Sequence, residues 1–405
     1  MVGDDMNTDA VTFFIYLFIF WVVLFILHKL FKLERYQLEF KPYLVILWRT
    51  RRLNSILFKI AMGFRGFWKI VFTVGIFLAI GETLFTLNFL LGNLISYYYR
   101  VGEVQPVIPL IPGITFSLNS LPYFIISIVL VFIFHEFAHG IAAFAENLTV
   151  KNVGLLLAVF VGGGFVELDE NDMNSASFIS KLRILSSGST ANLVTGILSL
   201  FMIANFSFVI SPFYGSSSGV IVVEVINGSP ASLYGVKNGD ILFYINGVRI
   251  YDSLSFSNVL SNIPANSTVV LNTARGDLII VGGAHPTNPS KVFLGIRVFN
   301  YYPPKIMPFI FTPEFPYHYY NFLNWFEVIS LSAAFINMLP IPFFDGGRFF
   351  EVLLRNRIIN SKKALFKGRE IGVGELILEI LKFTSLTFLL LNISQSLFMG
   401  SIFLR

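Results

Sequence analysis

The sequence contains no cysteine and few charged residues, and each of these absences narrows the class of protein. Only 13% of its 405 residues are charged, whereas soluble domains average about a quarter. Without cysteine, disulfides and thiolate metal sites are excluded, so any metal ligand must come from His, Asp or Glu. Hydrophobic residues make up 55% of the chain, and the mean hydropathy is +0.72. These values predict an integral membrane protein.

Long apolar runs give the expected fold class. Runs of about 20 residues are long enough to cross a bilayer, and the predicted spans are 11–27, 70–96, 121–145, 184–211, 325–345 and 374–403. A shorter apolar run, Val153 to Val166, is broken by Gly162, Gly163 and Gly164, which favours a re-entrant β-like hairpin. We therefore expect a polytopic α-helical membrane protein with about six transmembrane helices and one such hairpin.

Lysine and arginine positions predict the orientation. Residues 28–69 carry ten basic and two acidic side chains, and residues 346–370 are also basic, so both segments are expected in the cytoplasm. Residues 97–120 and 212–324 and both termini then face outward. The net charge of +5 follows from this orientation. The basic segments lack a nucleic-acid-binding signature, so the expected surroundings are a lipid bilayer, with no nucleic-acid partner.

Residues 215–300 have a different pattern, in which β-branched residues alternate with polar ones. GVIVVEVING, DILFYINGVRI and STVVLNTARGDLIIVGG are typical of strands, and Asn246-Gly247 predicts a tight hairpin. The order of these segments resembles a PDZ domain. An inserted PDZ-like α+β domain is therefore expected, and its possible partners are an extended peptide or the outer part of a substrate. The alternative is a small β domain that binds no ligand.

A metal-binding pattern lies inside the third predicted span, in the stretch VFIFHEFAHGIAAF. His135 and His139 are four residues apart, so both imidazoles lie on one face of a helix, and Glu136 is adjacent. His-Glu-x-x-His is the spacing with which zinc hydrolases bind Zn²⁺ and place a general base. The alternative is a pair of polar residues at a helix contact. Ionisable groups within a membrane span are costly and usually mark a function, which favours zinc.

A catalytic zinc needs a third protein ligand. The acidic residues 28 to 31 positions after His139 are candidates, and they are Glu167, Asp169 and Glu170. Asp345 in NMLPIPFFDGG is the other candidate. At 1.5 Å per residue, His135 lies about 20 Å along the third span, and Asp345 lies at the inner end of the fifth. This shared depth favours Asp345, whereas water could solvate the acidic cluster.

The combination of HEFAHG, a PDZ-like insert and NMLPIPFFDGG resembles the site-2 protease family of intramembrane zinc metalloproteases. The similarity runs from about Pro106 to Arg348. The resemblance implies that His135, His139 and Asp345 hold zinc and that Glu136 is the general base.

Two further segments acquire an expected role from this resemblance. The GSTAN segment would place Asn192 beside the scissile carbonyl, although many members have Pro where this chain has Ser189. A helix-packing amide is the alternative for Asn192. The GGGFVEL segment could offer a strand edge to the substrate, and its expected contacts are Gly162, Gly163, Gly164 and Phe165. A simple loop break is the alternative for that segment.

These expectations divide the chain into five parts. The first two spans with their basic loop occupy 1–105, and the first part of the catalytic core occupies 106–214. The PDZ-like domain follows at 215–300, the second part of the core at 301–370 and the final span at 371–405.

The expected function is regulated intramembrane proteolysis, meaning hydrolysis of a peptide bond within or near a transmembrane helix of a substrate protein. Three alternatives stay open: a membrane-anchored zinc protease that cuts soluble loops, a zinc transporter or channel, and a binding scaffold with an inactive site. Transporters often show internal repeats, and none is evident here. The absence of cysteine and the plain membrane topology favour a prokaryotic cell membrane, with an archaeon as the narrower expectation.

Overall fold

The structure is a computed structural model that describes residues 2–41, 44–159, 161–307, 309–356, 362–366 and 369–403. The chain forms two compact units, Met1–Leu198 with Trp325–Arg405, and Ser199–Asn324. The first unit contains the predicted metal ligands, and the second contains the predicted β domain.

Helices supply most of the first unit. In chain order, the α-helices of the described residues in both units are α1 (Val2–Phe31), α2 (Arg52–Gly63), α3 (Arg65–Tyr99), α4 (Leu121–Ala145), α5 (Glu170–Ser175), α6 (Phe178–Ala204), α7 (Phe206–Ile210), α8 (Pro230–Leu233), α9 (Ser253–Ser261), α10 (Phe315–Asn337), α11 (Asp345–Leu354) and α12 (Val373–Phe403).

Five stretches of helix within the described residues are long and apolar enough to cross a membrane. They are Thr8–Phe31, Arg65–Tyr99, Leu118–Ala145, Phe178–Ala204 and Val373–Phe398. The chain is therefore a multi-pass membrane protein, and five of the predicted spans correspond to such helices. The other prediction, 325–345, has the wrong bounds, because α10 ends at Asn337. Whether α10 crosses the membrane stays a prediction.

The end of α10 is set by proline. Pro340 and Pro342 lack amide donors and prevent the helix from continuing, so residues 338–344 form turns and α11 begins at Asp345. The carbonyls freed at this break are bound by α3, since the Thr83 hydroxyl donates to Met338 O at 2.7 Å. Asp345 is thus the first residue of a new helix and not the last residue of a span.

The strands in the part of the chain that the structure describes are β1 (Leu38–Lys41), β2 (Val45–Thr50), β3 (Val150–Ala158), β4 (Val161–Leu168), β5 (Val220–Val225), β6 (Ile241–Ile245), β7 (Val248–Arg249), β8 (Thr268–Thr273), β9 (Gly276–Val281), β10 (Gly283–Ala284), β11 (Val292–Phe293), β12 (Ile296–Asn300), β13 (Lys363–Phe366) and β14 (Arg369–Gly372).

A four-stranded antiparallel sheet in the first unit has the order β1-β2-β3-β4. The predicted hairpin over 153–166 is present as β3 and β4, but its glycines do not make the turn. They lie inside β4, where Gly162 pairs with Leu157 and Gly164 pairs with Leu155. The strands β1 and β2 lie in the segment that was expected to be a basic cytoplasmic loop. Strand β2 pairs with β3 along the edge opposite β4, and β1 pairs with β2.

The tip of the β3–β4 hairpin is held by α1. The Trp21 indole N–H donates to Val159 O at 2.8 Å, and Trp21 is 5% exposed. At 1.5 Å per residue, Trp21 lies about 20 Å from Thr8 and about 15 Å from Phe31. The hairpin tip therefore lies beside the middle of the α1 span.

The second unit contains a β domain with an antiparallel sheet of order β12-β5-β6-β8-β9, and β7 pairs with β6. The predicted Asn246-Gly247 turn is confirmed, because Ile245 pairs with Val248 and both turn residues have positive φ, 48° and 78°. The short helix α8 lies between β5 and β6, and α9 lies between β7 and β8. The predicted strands are therefore present, while the PDZ-like assignment stays a prediction.

Candidate metal centre and catalytic site

The structure brings together the two histidines of α4 and the first residue of α11. His135 Nε2 and His139 Nε2 lie 3.1 and 3.0 Å from Asp345 Oδ2, and the two nitrogens are 3.2 Å apart. These three side chains form a group that could hold a metal ion. The members come from helices about 200 residues apart in the chain, so the fold itself assembles this group.

The spacing of the three atoms suits a tetrahedral ion. Zinc binds His nitrogen and carboxylate oxygen at about 2.0 to 2.2 Å, which places tetrahedral ligands about 3.3 Å from one another. The observed separations of 3.0 to 3.2 Å are close to this value. The donor set also matches a catalytic zinc, which takes three protein ligands and leaves one position open.

His139 is oriented by the backbone of α6. Its Nδ1 lies 2.8 Å from Ile184 O and 3.1 Å from the Ser187 hydroxyl. Because a carbonyl can only accept, Nδ1 must carry the proton, which leaves the Nε2 lone pair free for a metal. The fixed tautomer is the one that metal binding requires.

His135 is oriented by Asn192, which is 1% exposed. The Asn192 Nδ2 lies 3.0 Å from His135 Nδ1, while Asn192 Oδ1 is buried with no hydrogen-bond partner among the described residues. Amide nitrogen and oxygen are assigned from the hydrogen-bond network. Rotating this amide by 180° lets Oδ1 accept from Nδ1–H, and His135 Nε2 is then free to bind a metal.

Asp345 is held by Asn337, for which the sequence pattern predicted no role. The Asn337 amide donates to Asp345 Oδ2 at 2.7 Å, and the Asp345 backbone N–H donates to Asn337 Oδ1 at 3.3 Å. The available signal was the Asn that opens NMLPIPFFDGG, eight residues before the carboxylate. Two prolines between them make the turns that bring the pair together.

Two glycines bring backbone directly against the catalytic side chains. A Cβ on Gly188 would lie 2.5 Å from both His135 Nε2 and His139 Nε2. A Cβ on Gly164 would overlap Glu136 Cγ, so the β4 backbone packs on the side chain of the expected general base. In both places the absence of a side chain leaves room for the site.

The rival third ligands do not join the two histidines within the described part of the chain. Glu167 accepts from the Asn152 amide at 2.8 Å. Asp169 caps α5 by accepting from Asn171 N, and it pairs with Lys151 at 3.1 Å. Glu170 is the first residue of α5 and is not a member of the metal-binding group.

A cavity of about 1020 Å³ opens onto the site. Its walls include Glu136, Asn192 and the three candidate ligands, together with Phe165 of β4. The rest of the wall is part apolar and part charged. Its apolar residues include several from α4 and α10, and its charged residues include Glu170, Lys181, Arg348 and Glu351. The cavity could therefore admit both water and an apolar chain.

The β4 segment lies beside this cavity at one edge of the sheet, as far as the described strands show. Residues two apart on a strand face the same side, so Gly162 and Gly164 both face α4. A Cβ on Gly162 would meet no atom within 4 Å, and one on Gly163 would meet only Leu156 Cδ2, at 3.8 Å. Open space thus adjoins Gly162 and Gly163, whereas Gly164 packs on Glu136.

Comparisons with known proteins identify a family. The sequence model of peptidase family M50 matches residues 123–374. A membrane-bound transcription factor site-2 protease homolog of Arabidopsis thaliana is 24% identical over 230 residues, covering 56% of this chain and 44% of that protein.

Two further relatives give similar values. An uncharacterized protein of Methanocaldococcus jannaschii is 28% identical over 255 residues, covering 62% of this chain and 60% of the relative. A probable chloroplastic membrane metalloprotease of Arabidopsis thaliana is 24% identical over 287 residues, covering 54% of this chain and 64% of the relative. The alignments thus cover 44% to 64% of the length of these three relatives.

Proposed function

The chain belongs to peptidase family M50, and from that premise we propose that it is a zinc endopeptidase that hydrolyses a peptide bond within or near a transmembrane helix of a membrane-protein substrate. One observation carries the proposal. Two histidines next to Glu136, on a helix that is long and apolar enough to cross a membrane, converge with Asp345 of α11 so that the three ligand atoms lie within 3.2 Å of one another.

The proposed metal ligands are His135, His139 and Asp345. When bound, zinc would polarise the scissile carbonyl and lower the pKa of a water molecule toward 7. The protein contributes the orientation of the ligands, because Ile184 O fixes the tautomer of His139 and Asn337 fixes the Asp345 carboxylate.

Glu136 is the proposed general base. Glu136 follows His135 directly in the chain, and it lines the same cavity as the three proposed ligands. It would accept a proton from the attacking water and deliver it to the leaving amine. The packing of β4 on Glu136 supports this role, because a peptide beside β4 would lie next to that carboxylate.

Asn192 can serve two functions at once. In the rotated amide, Oδ1 accepts from His135 Nδ1–H, and Nδ2 becomes a free donor in a residue that lines the cavity. That donor would stabilise the negative charge that develops on the scissile carbonyl oxygen.

The proposed substrate contact is the free edge of β4. A helix hides its amides in hydrogen bonds, so a substrate must unwind before it can be attacked, and an added strand would hold it extended. Gly162, Gly163 and Gly164 permit close approach of the substrate backbone, and Phe165 would contact its side chains. The hairpin tip beside the middle of α1 supports a re-entrant position for this edge.

The β domain would select substrates by their outer part, either as a PDZ-like peptide binder or by excluding bulky domains. The cell membrane of a prokaryote is the proposed location.

Deleting 217–298 should leave cleavage of a short peptide intact and change which long substrates are cut.

The test of this function is a cleavage assay with purified protein in detergent or vesicles. A labelled transmembrane peptide and a labelled soluble loop peptide are offered with and without a chelator, to wild type and to Glu136→Gln. We expect about one zinc per chain in both proteins, and chelator-sensitive cleavage of the transmembrane peptide by wild type alone. Preferential cleavage of the soluble peptide would support the loop-cutting alternative. Zinc flux into vesicles without cleavage would support a transporter.

A further inference from the structure

The turn that precedes Asp345 contains a phenylalanine where a glycine is normally required. Pro342 occupies the second position of this turn, Phe343 has φ of +79°, and Phe344 N donates to Ile341 O at 3.2 Å. These are the features of a type II β-turn, whose third residue is usually Gly or Asn because φ is positive there. A bulky residue with positive φ is a genuine conformational outlier.

Packing does not compensate for this strain. Phe343 is fully exposed, whereas Ile341 on the same turn is 7% exposed. A glycine at this position would close the same turn with less strain, and the fold would lose no buried surface. Strained residues of this kind concentrate at functional sites, and the inference runs from the observed outlier to a function.

The position of Phe343 indicates which function this is. It lies two residues before the candidate ligand Asp345, and both Phe343 and Phe344 belong to the cavity wall. The same cavity is lined by Phe165 of β4 and by Glu136. An extended chain that is attacked at the metal centre must have side chains on each side of the scissile bond, within reach of this wall.

We propose that Phe343 is a substrate-binding residue, which contacts an apolar side chain of the unwound substrate next to the scissile bond and contributes to sequence preference there. The proposal rests on the proposed function of the same site. An exposed ring that gains a partner only when substrate is present explains both the exposure and the retained strain. An apolar residue on the substrate fits, because an aromatic ring gains stability chiefly by removing apolar surface from water or from loosely packed lipid.

The first experiment separates a role in binding from a role in folding. Purified Phe343→Gly and Phe343→Ala are compared with wild type in thermal unfolding, zinc content and the kinetics of transmembrane-peptide cleavage. We expect Phe343→Gly to unfold at the same temperature or higher and to keep its zinc, while kcat/KM falls about tenfold, mainly through KM. The loss should shrink for a peptide whose apolar residues beside the cleaved bond are replaced by alanine.

Phe383 supplies the matched control, since it is also highly exposed, at 74%, but lies on α12 and outside the cavity wall. Phe383→Ala should leave KM unchanged. Equal effects of the Phe343 and Phe383 substitutions on every substrate would overturn the proposal and would indicate an aromatic ring that merely contacts lipid.

The second experiment does not depend on turnover. A photoreactive p-benzoylphenylalanine at position 343 or 383 is introduced into the Glu136→Gln protein, which is then illuminated with a labelled transmembrane peptide. Crosslinking at 343 and not at 383 is expected. If wild type cleaves the peptide but position 343 does not crosslink, the role of Phe343 is refuted while the protease assignment stands. If wild type cleaves nothing, the proposed function itself fails.

Discussion

Gly188 shows how a single missing side chain can define a metal site. Alanine there would place a Cβ 2.5 Å from the ligating nitrogens of both histidines, which is closer than atoms of these types can approach. We predict that Gly188→Ala folds but binds zinc at least about tenfold more weakly, because both rings must move. Metal analysis after dialysis against graded chelator measures this. Gly92→Ala on α3 is the control, since a Cβ there meets no atom within 4 Å. Equal zinc affinity in both variants would contradict the prediction.

The third ligand can be tested at the same scale. Asp345→Asn keeps the size of the side chain but removes its charge, so the zinc would retain two imidazoles and a weak amide oxygen. We predict that zinc affinity and cleavage both fall by a factor of about ten or more. Glu167→Gln and Asp169→Asn should change neither, because these carboxylates bind Asn152 and cap α5. Zinc content and peptide cleavage are measured at matched folding. Normal behaviour of Asp345→Asn together with loss in Glu167→Gln would show that the ligand assignment is wrong.

At the residue scale, the sequence identified the groups whose chemistry is tied to a fixed spacing. His135, Glu136 and His139 lie within one turn of helix, so a local pattern describes them completely. The roles of Asn337 and Gly188 depend on which helices meet, and a one-dimensional pattern does not contain that information. The strain at Phe343 was equally hidden, because it depends on a backbone angle at a turn.

Helix α1, which lies outside the residues matched by the family, makes an anchoring contact with the β3–β4 hairpin. Trp21 supplies the hydrogen bond to Val159 O at the hairpin tip. Trp21→Phe retains an aromatic ring but leaves that carbonyl without its donor in an apolar setting, which costs about 1 to 3 kcal/mol. We predict faster hydrogen exchange at the hairpin tip, a higher KM for transmembrane peptides and unchanged zinc content.

The control for this element is Phe18→Leu, because Phe18 lies on the same helix and is highly exposed. It should behave as wild type in exchange and in kinetics. If Trp21→Phe leaves exchange at the tip unchanged, the hydrogen bond does not hold the hairpin.

Helices and strands were predicted correctly where the length of an apolar run or the alternation of apolar and polar residues specifies them. Strands were missed where they form only by pairing with a segment far away in the chain. Residues 38–50 carry basic and apolar side chains that read as a cytoplasmic loop. They become β1 and β2 only because β3, about a hundred residues later, offers them a partner. The end of α10 at Asn337 likewise depends on the following prolines, which the sequence showed, and on α3, which binds the freed carbonyls.

At the scale of the whole molecule, the β domain should respond to acid independently of catalysis. Burial alone would raise the pKa of Asp240, but hydrogen bonds from Arg275 and from Lys237 N hold the pKa of that carboxyl below its usual range. A group whose pKa is lower in the folded state stabilises the fold above its unfolded pKa, which is about 3.9 for Asp. This stability is lost as the pH falls below about 4.

We therefore predict that the β domain of wild type loses more stability between pH 6 and pH 3 than that of Asp240→Asn, although the variant is less stable at pH 6. Hydrogen exchange of the β5, β6 and β8 amides in the full chain gives the measurement. Parallel pH profiles for the two proteins would show that the ion pair contributes nothing to acid sensitivity.

The pairing of β2 with β3 has a consequence for fidelity. A sheet has two edges at which a further strand can pair. Among the described strands these edges are β1 and β4, and β4 is the one that packs on Glu136. If residues 1–50 were removed, β3 would become the second edge, only about 5 Å from β4. Under the proposed mode of substrate binding, a peptide paired with β3 would be held beyond the reach of the general base, so the shortened protein would be inhibited by its own substrate. Strands β1 and β2 would then act by moving the second edge of the sheet to about 14 Å from β4.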